Sequence, residues 1–184
     1  MREIVVTGAA GFIGSNLVDR LLEDGFRVVG LDSFTRYYSP EVKAENLAAA
    51  GSKDGFRLFE VDLLGADLIP LLSEADAVVH LAAEPGVRTS WGDNFSRYLE
   101  NNVLATQRLL EALKPERQRL VFVSSSSVYG SAGSGPLIET APRHPASPYG
   151  LTKLAAEELV HTYVRETGLS ATLLRGSTSS RSPA

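Results

Sequence analysis

Short apolar runs alternate along this chain with longer stretches in which apolar residues recur every three or four positions. The runs predict strands at Ile4–Thr7, Arg27–Leu31, Phe56–Val61, Ala77–Leu81, Leu120–Ser124 and Ser170–Leu174. Most are dense in Val, Leu and Phe without alternation, the pattern of strands covered on both faces. The periodic stretches predict helices over Phe12–Glu23, Pro40–Ala50, Asp93–Leu113 and Pro148–Thr167. In the first of these, Ile13, Leu17, Leu21 and Leu22 share one face, with Asn16, Asp19, Arg20 and Glu23 mostly on the other. Gly25, Pro115 and Gly168 mark breaks after three of the four. Strand and helix in alternation imply an α/β fold, a doubly wound parallel sheet covered on both sides with right-handed crossovers. No internal repeat is found. The region Gly130–Pro148, rich in Gly, Ser and Pro, reads as a long loop, and such loops often form lids or binding loops.

Composition narrows the partners. The 184 residues, 43% hydrophobic and 22% charged, suit one domain with a sizeable core. A net charge of −4 supplies no basic footprint, which argues against nucleic acid. There is no cysteine, hence no disulfide framework, thiol nucleophile or thiolate metal site. His80, His144 and His161 fall on a strand end, a loop and a helix without ligand spacing, so no metal site is expected. No apolar run approaches the roughly 18 residues of a membrane span. The first residues pass straight into a strand with no signal-peptide core. The expectation is a soluble, cytoplasmic protein with no membrane partner.

The first strand runs into Gly8-Ala9-Ala10-Gly11-Phe12-Ile13-Gly14 and then into the first helix. A glycine-rich turn in that place is where a dinucleotide pyrophosphate docks. Gly8 permits the tight turn, Gly11 lets backbone approach phosphate, and Gly14 lets helix and strand pack closely. The spacing is GxxGxxG, not GxGxxG. Asp32 follows the second strand, where a carboxylate accepts hydrogen bonds from the adenosine ribose and disfavours a 2′-phosphate, pointing to NAD over NADP. Asp62-Leu63 follows the third strand, where a carboxylate either meets the adenine amino group or serves ordinary turn chemistry.

Tyr149-Gly150-Leu151-Thr152-Lys153 places a phenol and an ammonium on one face at the start of a helix. A neighbouring cation favours the phenolate and lowers the tyrosine from its usual value of about 10 toward working pH, which makes Tyr149 a usable general base. Alone, such a pair is more often a solvated surface pair. The serine cluster Ser124–Ser127, directly after Leu120-Val121-Phe122-Val123, changes that balance, because its hydroxyls sit at the carboxyl end of a strand where ligands bind. Tyr98 and Tyr129 read as packing residues. Trp91 either covers a cofactor or caps the core, and Glu157-Glu158 reads as a solvated helix face.

Together the motifs TGAAGFIG, HLAA (His80–Ala83), NNVLATQRLLEA (Asn101–Ala112), SSSSVYG (Ser124–Gly130) and SPYGLTK (Ser147–Lys153) span nearly the whole chain in one order. The chain resembles the extended short-chain dehydrogenase/reductases, the NAD-dependent epimerase/dehydratase family. The resemblance implies that Gly8, Gly11, Phe12, Ile13 and Gly14 hold the pyrophosphate, Asp32 the ribose, and Asp62 with Leu63 the adenine. It places His80, Leu81, Ala82 and Ala83 along the cofactor, and Asn101, or its neighbour Asn102, near the nicotinamide. Ser125, with Ser126 as runner-up, Tyr149 and Lys153 become the catalytic serine, tyrosine and lysine. The Asp-Glu pair of sugar 4,6-dehydratases and the glutamate usual in nucleotide-sugar decarboxylases are replaced here by Ser126 and Ser127. What remains is similar to UDP-glucuronate and UDP-glucose 4-epimerases, including Pro85–Trp91, where Arg88 either meets a substrate phosphate or carboxylate or is a surface residue. The implied partners are NAD, a UDP-sugar and, in the full-length form, a second copy of the protein.

After Leu173-Leu174-Arg175 the family continues into a substrate domain, whereas here a polar stretch, Gly176–Ala184, follows. The resemblance therefore implies an NAD-binding domain of Rossmann type over residues 1–175 and a polar tail, a linker or non-native, over 176–184, with the substrate domain truncated. Such a chain should bind NAD and turn over little. Two other readings stay open: a carbonyl reductase or dehydrogenase of the same superfamily, and a non-catalytic dinucleotide-binding module.

Overall fold

A computed structural model of the chain describes residues 2–35, 39–130 and 137–176. Six strands form one all-parallel sheet: β1 (Glu3–Thr7), β2 (Arg27–Asp32), β3 (Phe56–Glu60), β4 (Ala77–His80), β5 (Arg119–Ser125) and β6 (Ser170–Gly176). Their order is β3-β2-β1-β4-β5-β6. The expected strands and fold class are thus present, each strand within two residues of its expected ends. Gly176 pairs with Ser125 as the last residue of β6, so the sheet takes one residue assigned to the tail. The remaining tail, 177–184, lies outside the described residues, as does the 131–136 part of the expected long loop.

Helix α1 (Phe12–Glu23) and the pair α2 (Pro40–Asn46) and α3 (Ala48–Gly51) belong to one face of the sheet. The other face carries α4 (Leu68–Leu72), α5 (Phe95–Tyr98), α6 (Ala105–Ala112) and α7 (Pro148–Thr167). β1 shows why. Its Ile4 and Val6 pack with Val18 and Ala50 on the first side, while Val5 joins Leu109, Leu110, Ala156 and Val160 on the second. With period-two side chains, a strand buried on both faces must be apolar throughout. That reasoning fails for the last two strands. β5 and β6 alternate: Leu120 and Phe122 are buried with α6 and α7, whereas Val121 and Val123 are only half-buried and Leu174 is exposed.

Two helices differ from their patterns. The stretch Pro40–Ala50 is divided at Leu47 into α2 and α3. Asp93–Leu113 is not one regular helix: a 3₁₀ turn (Gly92–Asn94), α5, a π-helical stretch (Leu99–Leu104) and α6 follow one another. The periodicity conveyed an amphipathic rod but not its local winding. The apolar run Leu68–Leu72, too short to show a period, forms α4 with the Asp67 carboxylate capping the Ile69 N–H.

Gly14 and Gly25 separate two reasons for a glycine. A Cβ on Gly14 would lie 2.1 Å from the Gly8 carbonyl oxygen, whereas one on Gly25, at φ +82°, meets nothing within 4 Å. Gly14→Ala should cost about 3 kcal/mol through overpacking. Gly25→Ala should cost only about 1 kcal/mol, the strain of a left-handed alanine. Urea denaturation of both variants checks the ordering.

Candidate functional site

The connections out of β1 and β4 leave toward opposite faces, which opens a crevice at the carboxyl end of the sheet. A cleft of about 640 Å³ fills it. One wall is the glycine turn. Gly8 holds φ +69°, and a Cβ there would press 2.9 Å from the Ala82 nitrogen. Gly11 starts α1 without any side-chain cap, and Phe12 and Ile13 stand 72% and 61% exposed over the opening. An uncapped amino terminus of a 12-residue helix, reached over glycines, fits the pyrophosphate of a dinucleotide.

Asp32, Asp62 and Leu63 line the next part of the cleft. Asp32 is not the free carboxylate its position suggested. It is buried, takes the Lys43 ammonium at 2.8 Å, and accepts the backbone N–H groups of Ala10 at 3.0 Å and Phe34 at 2.8 Å. Three of its roughly four acceptor sites are therefore engaged, and one remains for a ribose hydroxyl. The Asp62 side chain accepts the Leu64 N–H and still faces the cleft. Lys43 escaped notice because it reads as one more charge on an amphipathic helix; only the docking of α2 turns it inward.

Leu81, Ala82, Ala83 and Asn101 also line the cleft. His80 does not: it is 1% exposed and lies beneath the floor, its ring bound by Thr7 and Thr106. Burial, aided by the Lys153 charge, lowers its pKa to about 3. Asn102 is likewise buried, its amide clasping the backbone of Glu84. Arg88 and Trp91 are exposed on the loop beyond Val87, outside the cleft lining.

Glu84 is the cleft residue most clearly missed from the sequence. Its position directly after HLAA, at the end of β4, was the available signal. Glu84 is 7% exposed, and its carboxylate lies 3.0 Å from the Arg97 guanidinium. Burial raises its pKa, and Arg97 only partly opposes that.

The opposite wall carries Ser125, Ser126, Ser127, Tyr149 and Lys153. The serines leave β5 in a 3₁₀ turn capped by the Ser125 hydroxyl, which accepts the Ser127 N–H. Ser147 caps α7 in the same way, so Tyr149 and Lys153 occupy its first two turns, facing inward. The Tyr149 ring meets Tyr98 edge-on at 6.2 Å, and the Tyr98 hydroxyl reaches the Pro85 carbonyl at 2.8 Å. The Lys153 ammonium donates to the Val123 carbonyl at 2.8 Å and sits 4.5 Å from the Phe122 ring centroid. Burial lowers its pKa to about 8, and Glu157 partly offsets this. Lys153 is therefore mostly charged below pH 8 and can hold a neighbouring phenol toward its anion.

Glu157, read from the sequence as solvated, is fully buried. Arg175 from β6 pairs with it at 2.9 Å and Arg143 at 3.3 Å. Burial alone would raise the Glu157 carboxyl, but the hydrogen-bonded Arg175 and Arg143 hold it below its ordinary value. Arg175 also donates to the Tyr129 hydroxyl and the Glu139 carbonyl, which fastens the loop after residue 136 to the sheet. Among the described residues no group of three or more His, Cys, Asp or Glu could hold a metal. No helix among the described residues is long and apolar enough to cross a membrane.

Residues 4–179 match the model of the NAD dependent epimerase/dehydratase family. The chain belongs to that family. It is 45% identical over 175 residues to the uncharacterized UDP-glucose epimerase YtcB of Bacillus subtilis, covering 94% of this chain and 55% of that protein. It is 44% identical over 164 residues to the UDP-glucose 4-epimerase of Mycolicibacterium smegmatis, covering 86% and 50%. Among solved structures, the UDP-glucuronic acid 4-epimerase of Bacillus cereus, in complex with UDP-glucuronic acid and NAD, superposes with a TM-score of 0.91 at 43% identity. That match covers 94% of this chain and 55% of the other. This family member thus spans about half the length of the curated relatives it matches.

Glu157→Ala strands two guanidinium groups and should destabilise the fold by about 3–5 kcal/mol in urea denaturation. His80 is kept neutral by folding, so the unfolded chain gains a proton that the folded chain lacks as pH falls below 6.5 toward 3. Glu157, whose pKa is lowered, adds a loss below its ordinary 4.5, while Glu84, whose pKa is raised, acts the other way. Thermal melts should show the melting temperature falling from pH 6.5 downward, and His80→Gln should flatten the decline between pH 6.5 and 4.5.

Proposed function

We propose that this chain is the cofactor-binding part of a NAD-dependent nucleotide-sugar 4-epimerase that acts on a UDP-sugar of the glucose or glucuronate type. The observation that carries the reading is the convergence of Tyr149, Lys153 and the Ser125–Ser127 turn on the same cleft as the uncapped glycine turn. The residues before Val128-Tyr129 support epimerisation over dehydration: Ser126 and Ser127 have no carboxyl to act as acid or base for water loss. The relatives support the sugar class, since their names place UDP-glucose and UDP-glucuronic acid with this family.

In this reading Gly8, Gly11, Phe12, Ile13 and Gly14 hold the pyrophosphate of NAD. Asp32 with Lys43 holds the adenosine ribose, and Asp62 and Leu63 border the adenine. Leu81, Ala82, Ala83 and Asn101 line the rest of the cofactor. NAD, when bound, supplies a hydride acceptor that gives the hydride back. Tyr149 as phenolate removes the proton from the sugar 4-hydroxyl, Lys153 keeps the phenolate accessible, and Ser125, with Ser126 beside it, orients the 4-oxygen. Proton return from Tyr149 completes the inverted alcohol. Because the cofactor is regenerated, it has no need to leave between turnovers. Arg88, on the exposed loop beside the cleft, is available to a sugar carboxylate or phosphate. A second copy of the protein is the expected partner of the full-length form.

The chain alone is expected to bind NAD and turn over little, because it covers only about half of each relative. Heat-denaturing the purified chain and analysing the supernatant by ion exchange with mass detection should release NAD. Absence of dinucleotide counts against a retained cofactor. In a full-length relative, replacing the counterpart of Tyr149 with Phe should cut epimerisation at least about 100-fold with NAD still bound. Net consumption of NADH in that assay would favour the reductase reading.

A further inference from the structure

Beneath the cleft floor a chain of hydrogen bonds runs from β1 to α7. The Thr106 hydroxyl donates to the Asn102 carbonyl at 2.7 Å. A hydroxyl carries a single proton, so toward His80 Nε2, 3.0 Å away, Thr106 can only accept. Nε2 therefore holds the proton. In a neutral ring Nδ1 is then an acceptor, and the Thr7 hydroxyl donates to it at 2.7 Å. The Thr7 oxygen in turn accepts the Ala82 N–H at 3.1 Å.

On the other side, the Thr152 hydroxyl donates to the Tyr149 carbonyl at 2.8 Å and accepts from Asn102 Nδ2 at 3.0 Å. The Asn102 amide also accepts the Glu84 N–H at 2.7 Å and donates to the Glu84 carbonyl at 3.2 Å. Thr7, His80, Asn102, Thr106 and Thr152 are each no more than 1% exposed, so water cannot replace a lost partner. A second proton on His80 would turn Nδ1 into a donor and strand the Thr7 hydroxyl proton. The ionisable group facing His80 from α7 is Lys153, whose charge also disfavours a histidine cation. Phe122 packs against the ring at 5.8 Å between centroids and offers no polar atom.

We propose that His80 is a positioning residue, held as the neutral Nε2–H tautomer, which keeps the glycine-turn strand, the Ala82–Glu84 wall and the Tyr149 turn in one register. It touches neither cofactor nor substrate and acts through Thr7 on one side and Thr106 with Asn102 on the other. A buried histidine that merely filled space would have no fixed tautomer and no effect on Tyr149. What the register serves rests on the cofactor reading above; the tautomer and the chain of bonds do not.

The test uses the full chain with ¹⁵N-labelled histidine. Two-bond proton–nitrogen spectra from pH 5 to pH 8 should show one histidine, identified by its loss in His80→Gln, as Nε2–H throughout. An Nδ1–H pattern, or a titration of that signal within the range, overturns the proposal. For the coupling, Thr106→Val removes the acceptor of Nε2–H, and Thr106→Ser restores it. The valine variant should bind NAD at least about 10-fold more weakly, with the serine variant within about twofold of the parent. Thr152→Val provides the same measurement should Thr106→Val fail to fold. Unchanged affinity in a folded valine variant overturns the positioning role. If the parent chain binds no NAD, the cofactor reading falls and the Tyr149 amide resonance decides: displaced in Thr106→Val, the proposal stands; unmoved, it falls.

Discussion

The contact between Gly14 and the carbonyl of Gly8 sets the geometry of the whole cleft. With no Cβ at position 14, the first turn of α1 settles directly on the loop that leaves β1. The amino end of the helix is thereby aimed over the carboxyl edge of the sheet, with no side chain to cap it. Ala82, two residues beyond β4, also crowds the place of a Cβ on Gly8, at 2.9 Å, so the loops after β1 and β4 lean on each other. A crevice between them follows from strand order, but its width and its free amide donors follow from these glycines.

Around that crevice the protein buries several charges, each held by a different device. Asp32 is neutralised by Lys43 and by two backbone amides. Glu157 is neutralised by two arginines that also tie β6 and the loop after residue 136 to α7. Among the described residues Lys153 has no carboxylate at ion-pair distance; its ammonium rests on a carbonyl and an aromatic ring. An isolated buried cation is costly, and the depressed pKa of Lys153 is the measure of that cost. It is also what makes this ammonium responsive to a phenol beside it. Strongly paired charges tie the scaffold together, and the weakly paired one lines the cleft.

Much of this was legible in the chain. Short apolar runs marked all six strands, most clearly β1, β2 and β4, because strands near the middle of a parallel sheet must be apolar on both sides. The glycine turn was legible because it lies between such a run and an amphipathic helix. Spacing put Tyr149 and Lys153 on one helical face. Misreadings share one cause. Lys43 and Glu157 look like solvated helix charges, and His80 looks like a residue at the cleft edge. A charge or imidazole on an element carries no local mark of which partner the element will meet. The winding of 92–112 was likewise invisible, since a π-helical stretch preserves amphipathicity while changing the residue that points inward.

The sequence by itself determined the alternation of strands and helices, the fold class and family, and the two motifs that meet at the cleft. These depend on period, spacing and residue type, which are local properties of the chain. Only the tertiary structure decided that Asp32 is clasped by Lys43, that Glu84 lines the cleft and that Glu157 anchors β6. It also decided that His80 lies under the floor with both ring nitrogens committed. Those outcomes depend on which side chains from distant segments share a desolvated space, and burial then requires each polar atom among them to find its partner there.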